Sequence, residues 1–114
     1  MEQRGQLHVA DRAIQRIATH AAVQIDGVTR TGSELDKVIR RALPRAESTV
    51  AGDQVRLSVD IAIVWPHGAG QVARSVRHEV AQQVGRLTGL KVVAVDVTVS
   101  RFASSAGSTA RRVE

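Results

Sequence analysis

The chain has 114 residues, of which 16 are Lys or Arg and 11 are Asp or Glu, giving a net charge of +5. It contains no cysteine, which excludes disulfide bonds and thiolate zinc sites, and no apolar run approaches the roughly 20 residues that span a bilayer. The length predicts one domain, and the basic charge favours acidic partners such as nucleic acid or anionic lipid. The first residues, Met1 to Gly5, lack the apolar segment of a secretory signal, so any membrane role is expected to go through a partner or the membrane surface.

The first quarter of the chain predicts a short strand followed by a helix. Residues 6–9 are expected to form the strand, and Asp11 is a candidate N-cap for the helix. The helical apolar face is expected to comprise Ile14, Ile17, Ala18, Ala21 and Ile25. Gly27 is suited to end this helix because glycine adopts a left-handed conformation at little cost. A further short helix is expected between Ser33 and Pro44.

The middle of the chain changes to the period of a strand. Five apolar residues alternate with more polar ones, namely Val55, Leu57, Val59, Ile61 and Ile63, and this alternation predicts a long half-buried strand. Gly52 and Asp53 are expected to form a turn after a preceding strand at residues 48–51. Pro66 is expected to end the long strand because it has no N–H to donate.

The last third predicts a second long helix and a final strand. The helix is expected over residues 69–88 with an apolar stripe of Ala73, Val76, Val80, Val84 and Leu87. Gly89 and Leu90 suggest a Schellman motif at its end. The strand is expected over residues 91–100 with Val93, Val95, Val97 and Val99 on one face. Residues 103–114 are rich in Ser, Ala, Thr and Arg and are expected to form a disordered polar tail after a domain of residues 1–102.

The predicted order is β-α-(α)-β-β-α-β, which indicates an α+β fold. Two long helices would cover one face of a small, mostly antiparallel sheet to give a two-layer sandwich. The order of the strands within the sheet does not follow from the sequence.

Few residues carry a pattern typical of catalysis or metal binding. His78 and Glu79 begin a helical zinc-protease motif, but the second histidine is replaced by Gln82. Asp60 and Asp96 would form an acid/base pair only if their strands were neighbours, and two solvated carboxylates are the simpler interpretation. We therefore expect no enzymatic activity, no metal and no cofactor.

Nucleic-acid binding remains an alternative. Arg74 and Arg77 form a basic patch with His78 on the second long helix, and Arg111 and Arg112 add charge in the tail. The element order resembles that of the KH domain, but the GxxG loop of that domain is missing and no aromatic platform for stacking bases is present.

Two segments together resemble the alkaline shock protein family, the envelope stress response proteins of Gram-positive bacteria. The first is Gly5-Gln6-Leu7-His8-Val9-Ala10 with the apolar helical positions after it, closing on Ile25-Asp26-Gly27-Val28. The second is Leu87-Thr88-Gly89-Leu90-Lys91-Val92, which continues into Val95-Asp96-Val97-Thr98-Val99. The resemblance extends from about Gly5 to Val99 and includes the valine-spaced second helix.

This resemblance implies a non-enzymatic cytosolic scaffold or adaptor in cell-envelope stress. It further implies an integral membrane anchor protein or family paralogues as partners, self-association, and a position at the inner face of the membrane. The candidate interaction residues are the two large aromatics and four arginines, namely Trp65, Phe102, Arg74, Arg77, Arg111 and Arg112. Aromatic side chains are enriched in interface hot spots, but the strand parity of Trp65 points to the buried face and favours a core position for it.

Overall fold

A computed structural model of the protein describes residues 2–31, 42–64 and 67–103, with side chains from residue 11 onward in those ranges. The helices are α1 (Glu2–Val23) and α2 (Ala69–Thr88). The strands are β1 (Val28–Thr29), β2 (Arg45–Ala51), β3 (Gln54–Val64) and β4 (Lys91–Ala103).

β3 is the central strand of a four-stranded sheet. It pairs in antiparallel orientation with β1 and β2, and in parallel orientation with β4 along its whole length. Because β4 occupies one edge of β3, β1 and β2 share the other edge, with β2 beside residues 54–60 and β1 beside residues 62–63. Two of these three pairings are antiparallel, as the sequence predicted.

Both helices contribute to a single apolar core on one face of the sheet. α1 packs against β2 and α2, and α2 packs against α1 and β4. The fully buried side chains of the core are Ile14, Ala18, Ala21, Ala22, Val55, Leu57, Val59, Ile61, Ile63, Val76, Val80 and Val84, with Val72, Ala46 and Val95 nearly as buried. Small and β-branched residues suit close contact between helix and sheet. The predicted two-layer α+β class is confirmed.

The turn between α1 and β1 joins the helical layer to the sheet. Gly27 has φ +100°, and its carbonyl accepts a hydrogen bond of 2.7 Å from the Val64 N–H. A Cβ at this position would lie 2.9 Å from His67 Cγ and 3.0 Å from Val72 Cγ2. Both the conformation and the space therefore require glycine. The predicted role of Gly27 as the helix cap is wrong, because α1 ends at Val23 and Gly27 lies in the turn that follows.

The predicted first strand is wrong. Residues 6–9 belong to α1, which begins at Glu2. A four-residue alternation is too short to separate strand from helix, and an established helix gains one hydrogen bond for each residue that it adds. Asp11 consequently lies inside the helix, where its Oδ1 accepts a 2.9 Å hydrogen bond from Ser48 Oγ of β2. The predicted short helix between Ser33 and Pro44 lies mostly outside the described residues.

The predicted hairpin and second helix are confirmed, with different details at the helix end. α2 spans residues 69–88 as predicted, but its stripe is Val72, Val76, Val80 and Val84, and Leu87 is 56% exposed. Gly89 is left-handed at φ +77°, and its N–H donates to the Gly85 carbonyl at 2.9 Å. This single bond is the simpler left-handed cap and not the Schellman motif. The Thr88 hydroxyl completes the cap by donating to the Val84 carbonyl and accepting from the Leu90 N–H.

Two β-bulges interrupt the predicted alternation of β4. Val92 pairs with Val55 but Ala94 pairs with Arg56, and Val99 pairs with Ile61 but Arg101 pairs with Ala62. An extra residue moves the residues after it to the opposite face. Val92 therefore packs against the core, and Val93, which the sequence assigned to the buried face, is 41% exposed.

Candidate interaction surface

Three of the six predicted interaction residues lie on described elements of the structure. Phe102 lies near the end of β4, and Arg74 and Arg77 lie on α2. Trp65, Arg111 and Arg112 lie outside the described residues.

Phe102 lies at the edge of the sheet. It pairs in register with Ile63 of β3, whose side chain is fully buried, yet Phe102 is 54% exposed. The difference arises because β3 has neighbours on both edges, whereas β4 pairs with β3 alone among the described strands. An exposed aromatic side chain next to an open strand edge is typical of a contact with another chain.

The exposed face of α2 carries a mixture of charges. Arg74, Arg77 and His78 are exposed, as a solvent-facing basic patch requires. Glu79 lies beside them, and its carboxylate accepts a 2.7 Å hydrogen bond from Gln83 Nε2. The acidic and amide groups make this surface less suited to a continuous row of phosphates than a face of arginines alone.

The open face of the sheet carries a row of polar residues that sequence reasoning did not find. Asp60 of β3 pairs with Arg45 on one side and with Thr98 on the other. A groove of about 210 Å³ at this end of the sheet is lined by Leu43, Arg45, Asp60, Ser100 and Arg101. No local signal could have revealed this cluster, because it depends on the register of three strands.

The same register sets the relative positions of the Asp60 and Asp96 carboxylates. β3 and β4 are neighbours, but Asp96 pairs with Ser58, and Asp60 pairs with Thr98. The two carboxylates are thus offset by two residues on the open face, with a partly exposed Asp60 and an exposed Asp96. This arrangement agrees with the interpretation of two separate solvated carboxylates.

A second groove, of about 450 Å³, lies where the end of α1 meets the start of α2. Its lining residues are Gln24, Ile25, Asp26, His67, Gly68, Gln71, Val72 and Ser75. His67 Nδ1 is 3.0 Å from the Val64 carbonyl, and α2 has no acidic residue in its first turn and no side-chain cap at Gly68. The groove is open, is lined by both polar and apolar residues, and contains one carboxylate and one imidazole. Within residues 11–31, 42–64 and 67–103, no cluster of three His, Asp or Glu side chains has the arrangement of a metal site.

Among the described residues, no helix combines the length and the apolar content that a membrane span requires.

A comparison with protein families gives a match to almost the whole chain. The profile of the alkaline shock protein 23 family, described by a cell envelope-related function, matches residues 1–103. The chain belongs to this family. The match extends through α1, the sheet and α2 to the last residue of β4, and it confirms the resemblance that the two sequence segments indicated.

Solved structures similar to this family member share its fold at low sequence identity. A triple variant of the MamM CTD is 16% identical with a TM-score of 0.50, over 79% of this chain and 93% of that chain. The nickel form of a MamM CTD variant is 16% identical with a TM-score of 0.50, over 79% of this chain and 96% of the other. The zinc form of another MamM CTD variant is 14% identical with a TM-score of 0.50, over 79% of this chain and 84% of that chain. No curated protein matches the chain.

Proposed function

We propose that this protein is a non-enzymatic scaffold or adaptor of the cell envelope. It acts on the cytosolic side of the membrane, where it binds an integral membrane partner and associates with further copies of itself or with family paralogues. The observation that carries this proposal is the family match over residues 1–103. The membrane partner, the self-association and the location are our inferences from membership.

The distribution of polar groups supports a non-enzymatic role. The buried side chains of the described residues are all apolar. Catalytic sites usually hold polar groups in a preorganised environment from which water is excluded, whereas the two grooves described above are open to solvent. The carboxylate and imidazole of the larger groove, Asp26 and His67, are exposed.

The edge of the sheet supports a role in binding other chains. β4 presents thirteen residues at the edge, and Val93 and Phe102 expose apolar surface there. Extended segments bind such edges through main-chain hydrogen bonds, with side-chain contacts adding specificity. A membrane protein with an extended cytosolic segment and a second copy of this chain are both compatible with this surface.

The proposal is tested by capture from native membranes. A tagged copy of the full chain is recovered from detergent-solubilised cells, with and without nuclease, and its co-purifying proteins are identified by mass spectrometry. Enrichment of an integral membrane protein that is unchanged by nuclease is the expected result. Recovery of only soluble proteins, or loss of the membrane protein after nuclease, would contradict the scaffold.

Nucleic-acid binding is the second candidate, and the exposed patch of Arg74, Arg77 and His78 is the observation that favours it. The matched control is therefore the double substitution Arg74→Glu with Arg77→Glu in the same capture. The scaffold predicts that the membrane protein is still recovered. A nucleic-acid-binding module predicts nuclease-sensitive partners that the double variant loses, together with a steep dependence on salt.

A further inference from the structure

β4 forms an outer edge of the sheet in the described parts of the chain. The strand runs for thirteen residues and pairs only with β3 in the described parts of the chain. Its outer edge therefore carries a row of N–H and C=O groups without a strand partner. Such a row is a template for pairing with another strand.

The two outer edges of the sheet differ in their protection. β2, at the opposite edge, has seven residues and carries Arg45 and Glu47. Short strands and charges are the usual protection of an edge. β4 is nearly twice as long and has three charged residues, Lys91, Asp96 and Arg101, with an uncharged run from Val97 to Ser100 between the last two. Its two bulges also protect it, but its length and the uncharged run make β4 the edge better suited to accept a strand.

The bulges of β4 are compatible with a two-fold partner. Their extra residues are Val93 and Ser100. If two copies of β4 pair in antiparallel orientation with the two-fold axis at Val97, residues 93–94 of one copy lie opposite residues 100–101 of the other. The irregular segments then coincide, and the regular segment between them pairs with itself.

This register also matches the faces of the strand on both sides of the bulges. On the core face, Val92 lies opposite Phe102, and Val95 lies opposite Val99. The partly buried valines and the exposed Phe102 of each copy then gain apolar neighbours. Matching the apolar face in this way is what normally fixes the register of paired strands.

The charges of β4 select the same register. With the axis at Val97, Lys91 lies opposite Ala103, Asp96 opposite Thr98, and Arg101 opposite Val93. An axis at Asp96 would place two carboxylates opposite each other, which destabilises a strand pair.

We propose that two copies of this chain dimerise through β4, in antiparallel orientation, about a two-fold axis at Val97. The inference rests on the self-association in the proposed function and assigns its interface. The axis is perpendicular to the sheet, so both copies keep their helices on the same face of one continuous sheet. The occupant of the edge is a second copy, because one register satisfies the bulges, the apolar face and the charges together.

The decisive experiment compares Thr98→Lys with Thr98→Glu in the full chain. Thr98 is exposed, so both variants should fold, and each copy places residue 98 opposite Asp96 of the other. Two opposite-charge pairs should tighten the dimer of Thr98→Lys about fivefold, and two like-charge pairs should weaken that of Thr98→Glu about fivefold. Sedimentation velocity over a concentration series measures both dissociation constants.

The two substitutions separate this interface from general charge effects. The chain already carries a net charge of +5, so added lysines alone would weaken association. An axis at Thr98 would place residue 98 opposite itself, and both variants would then weaken the dimer. A dimer that responds to neither substitution, or weakens with both, overturns the proposed register.

Single-cysteine variants give an independent test, because the chain has no cysteine of its own. Val97→Cys should form a disulfide-linked dimer under mild oxidation, since directly opposed residues in antiparallel strands have Cα atoms about 4.5–5.5 Å apart, within disulfide range. Thr49→Cys, at an exposed position of β2, is the matched control and should not form a disulfide-linked dimer. Equal cross-linking of the two variants, or none at Val97 in a dimeric protein, contradicts the proposal.

The outcomes also distinguish the interface from the proposed function. Self-association without a response at Thr98 or Val97 overturns the β4 interface and leaves the scaffold standing. A monomer at all concentrations overturns the dimer, while capture of a membrane protein still decides the scaffold. If the captured partner protects the β4 amides of that monomer from hydrogen exchange, the edge binds the partner and not a second copy.

Discussion

At the scale of single residues, Gly27 is the position with the strongest constraint. We expect Gly27→Ala to destabilise the protein by about 2 kcal/mol or more, because a Cβ would be strained at φ +100° and would lie 2.9 Å from His67 Cγ. Urea unfolding followed by circular dichroism measures the change in the free energy of unfolding.

Gly70→Ala is the matched control for that substitution. Gly70 lies in the first turn of α2, and its nearest contact for a Cβ is Arg74 Nη1 at 3.7 Å, an ordinary van der Waals distance. Alanine should stabilise the helix here by up to about 1 kcal/mol. If the two substitutions destabilised the protein equally, the backbone conformation and the crowding at Gly27 would not be what makes glycine necessary there.

The hydrogen bond from Ser48 to Asp11 is a second residue-scale feature, and it connects α1 to β2. We expect the single variants Asp11→Ala and Ser48→Ala to be coupled by about 1 kcal/mol in a double-mutant cycle of unfolding free energies, because one partner loses its bond when the other is removed. Additive effects would mean that the bond contributes nothing to the docking of the helix.

At the scale of elements, α2 shows where its apolar stripe ends. Val76 is fully buried and Leu87 is 56% exposed, although both fit the helical spacing. We expect Val76→Ala to cost about 2 kcal/mol through lost burial and a cavity, and Leu87→Ala to change the unfolding free energy by less than about 0.5 kcal/mol. Chemical denaturation of the two variants checks this, and a similar cost at both positions would place Leu87 in the core.

The cap of α2 gives a second element-scale prediction. The Thr88 hydroxyl bonds the Val84 carbonyl at 2.6 Å and the Leu90 N–H at 3.1 Å. Thr88→Val should therefore cost about 1 kcal/mol of unfolding free energy, and Thr88→Ser, which retains the hydroxyl, should cost clearly less. If both variants unfold at the same denaturant concentration, the hydrogen bonds of the Thr88 hydroxyl do not contribute to the stability of the protein.

At the scale of the whole molecule, the family profile ends at residue 103, where β4 also ends. We expect a chain ending at residue 103 to unfold at the same urea midpoint and with the same slope as the full chain, because the residues beyond it are polar and small and add little apolar surface to bury. A lower midpoint would show that residues 104–114 contribute to the fold.

The sequence by itself determined the α+β class, the hairpin of β2 and β3, and the span of α2. These follow from local signals: the alternation of Val55 to Ile63, the helical spacing of Val76, Val80 and Val84, and Gly89 as a stop. It also carried the family resemblance, because that depends on the residues alone. It failed at residues 6–9, where a short alternation permits helix or strand and the longer helix extends through it.

The tertiary structure alone decided which surfaces are free to bind. Whether β4 lies at an edge, and where its bulges place Val93 and Phe102, depends on hydrogen bonds with β3 between residues nearly forty positions apart. The groove of Arg45, Asp60 and Arg101 likewise exists only because three strands meet in one register. Periodicity along one segment indicates which face of a helix or strand is apolar. Whether a residue on that face is exposed depends on which other segment covers it.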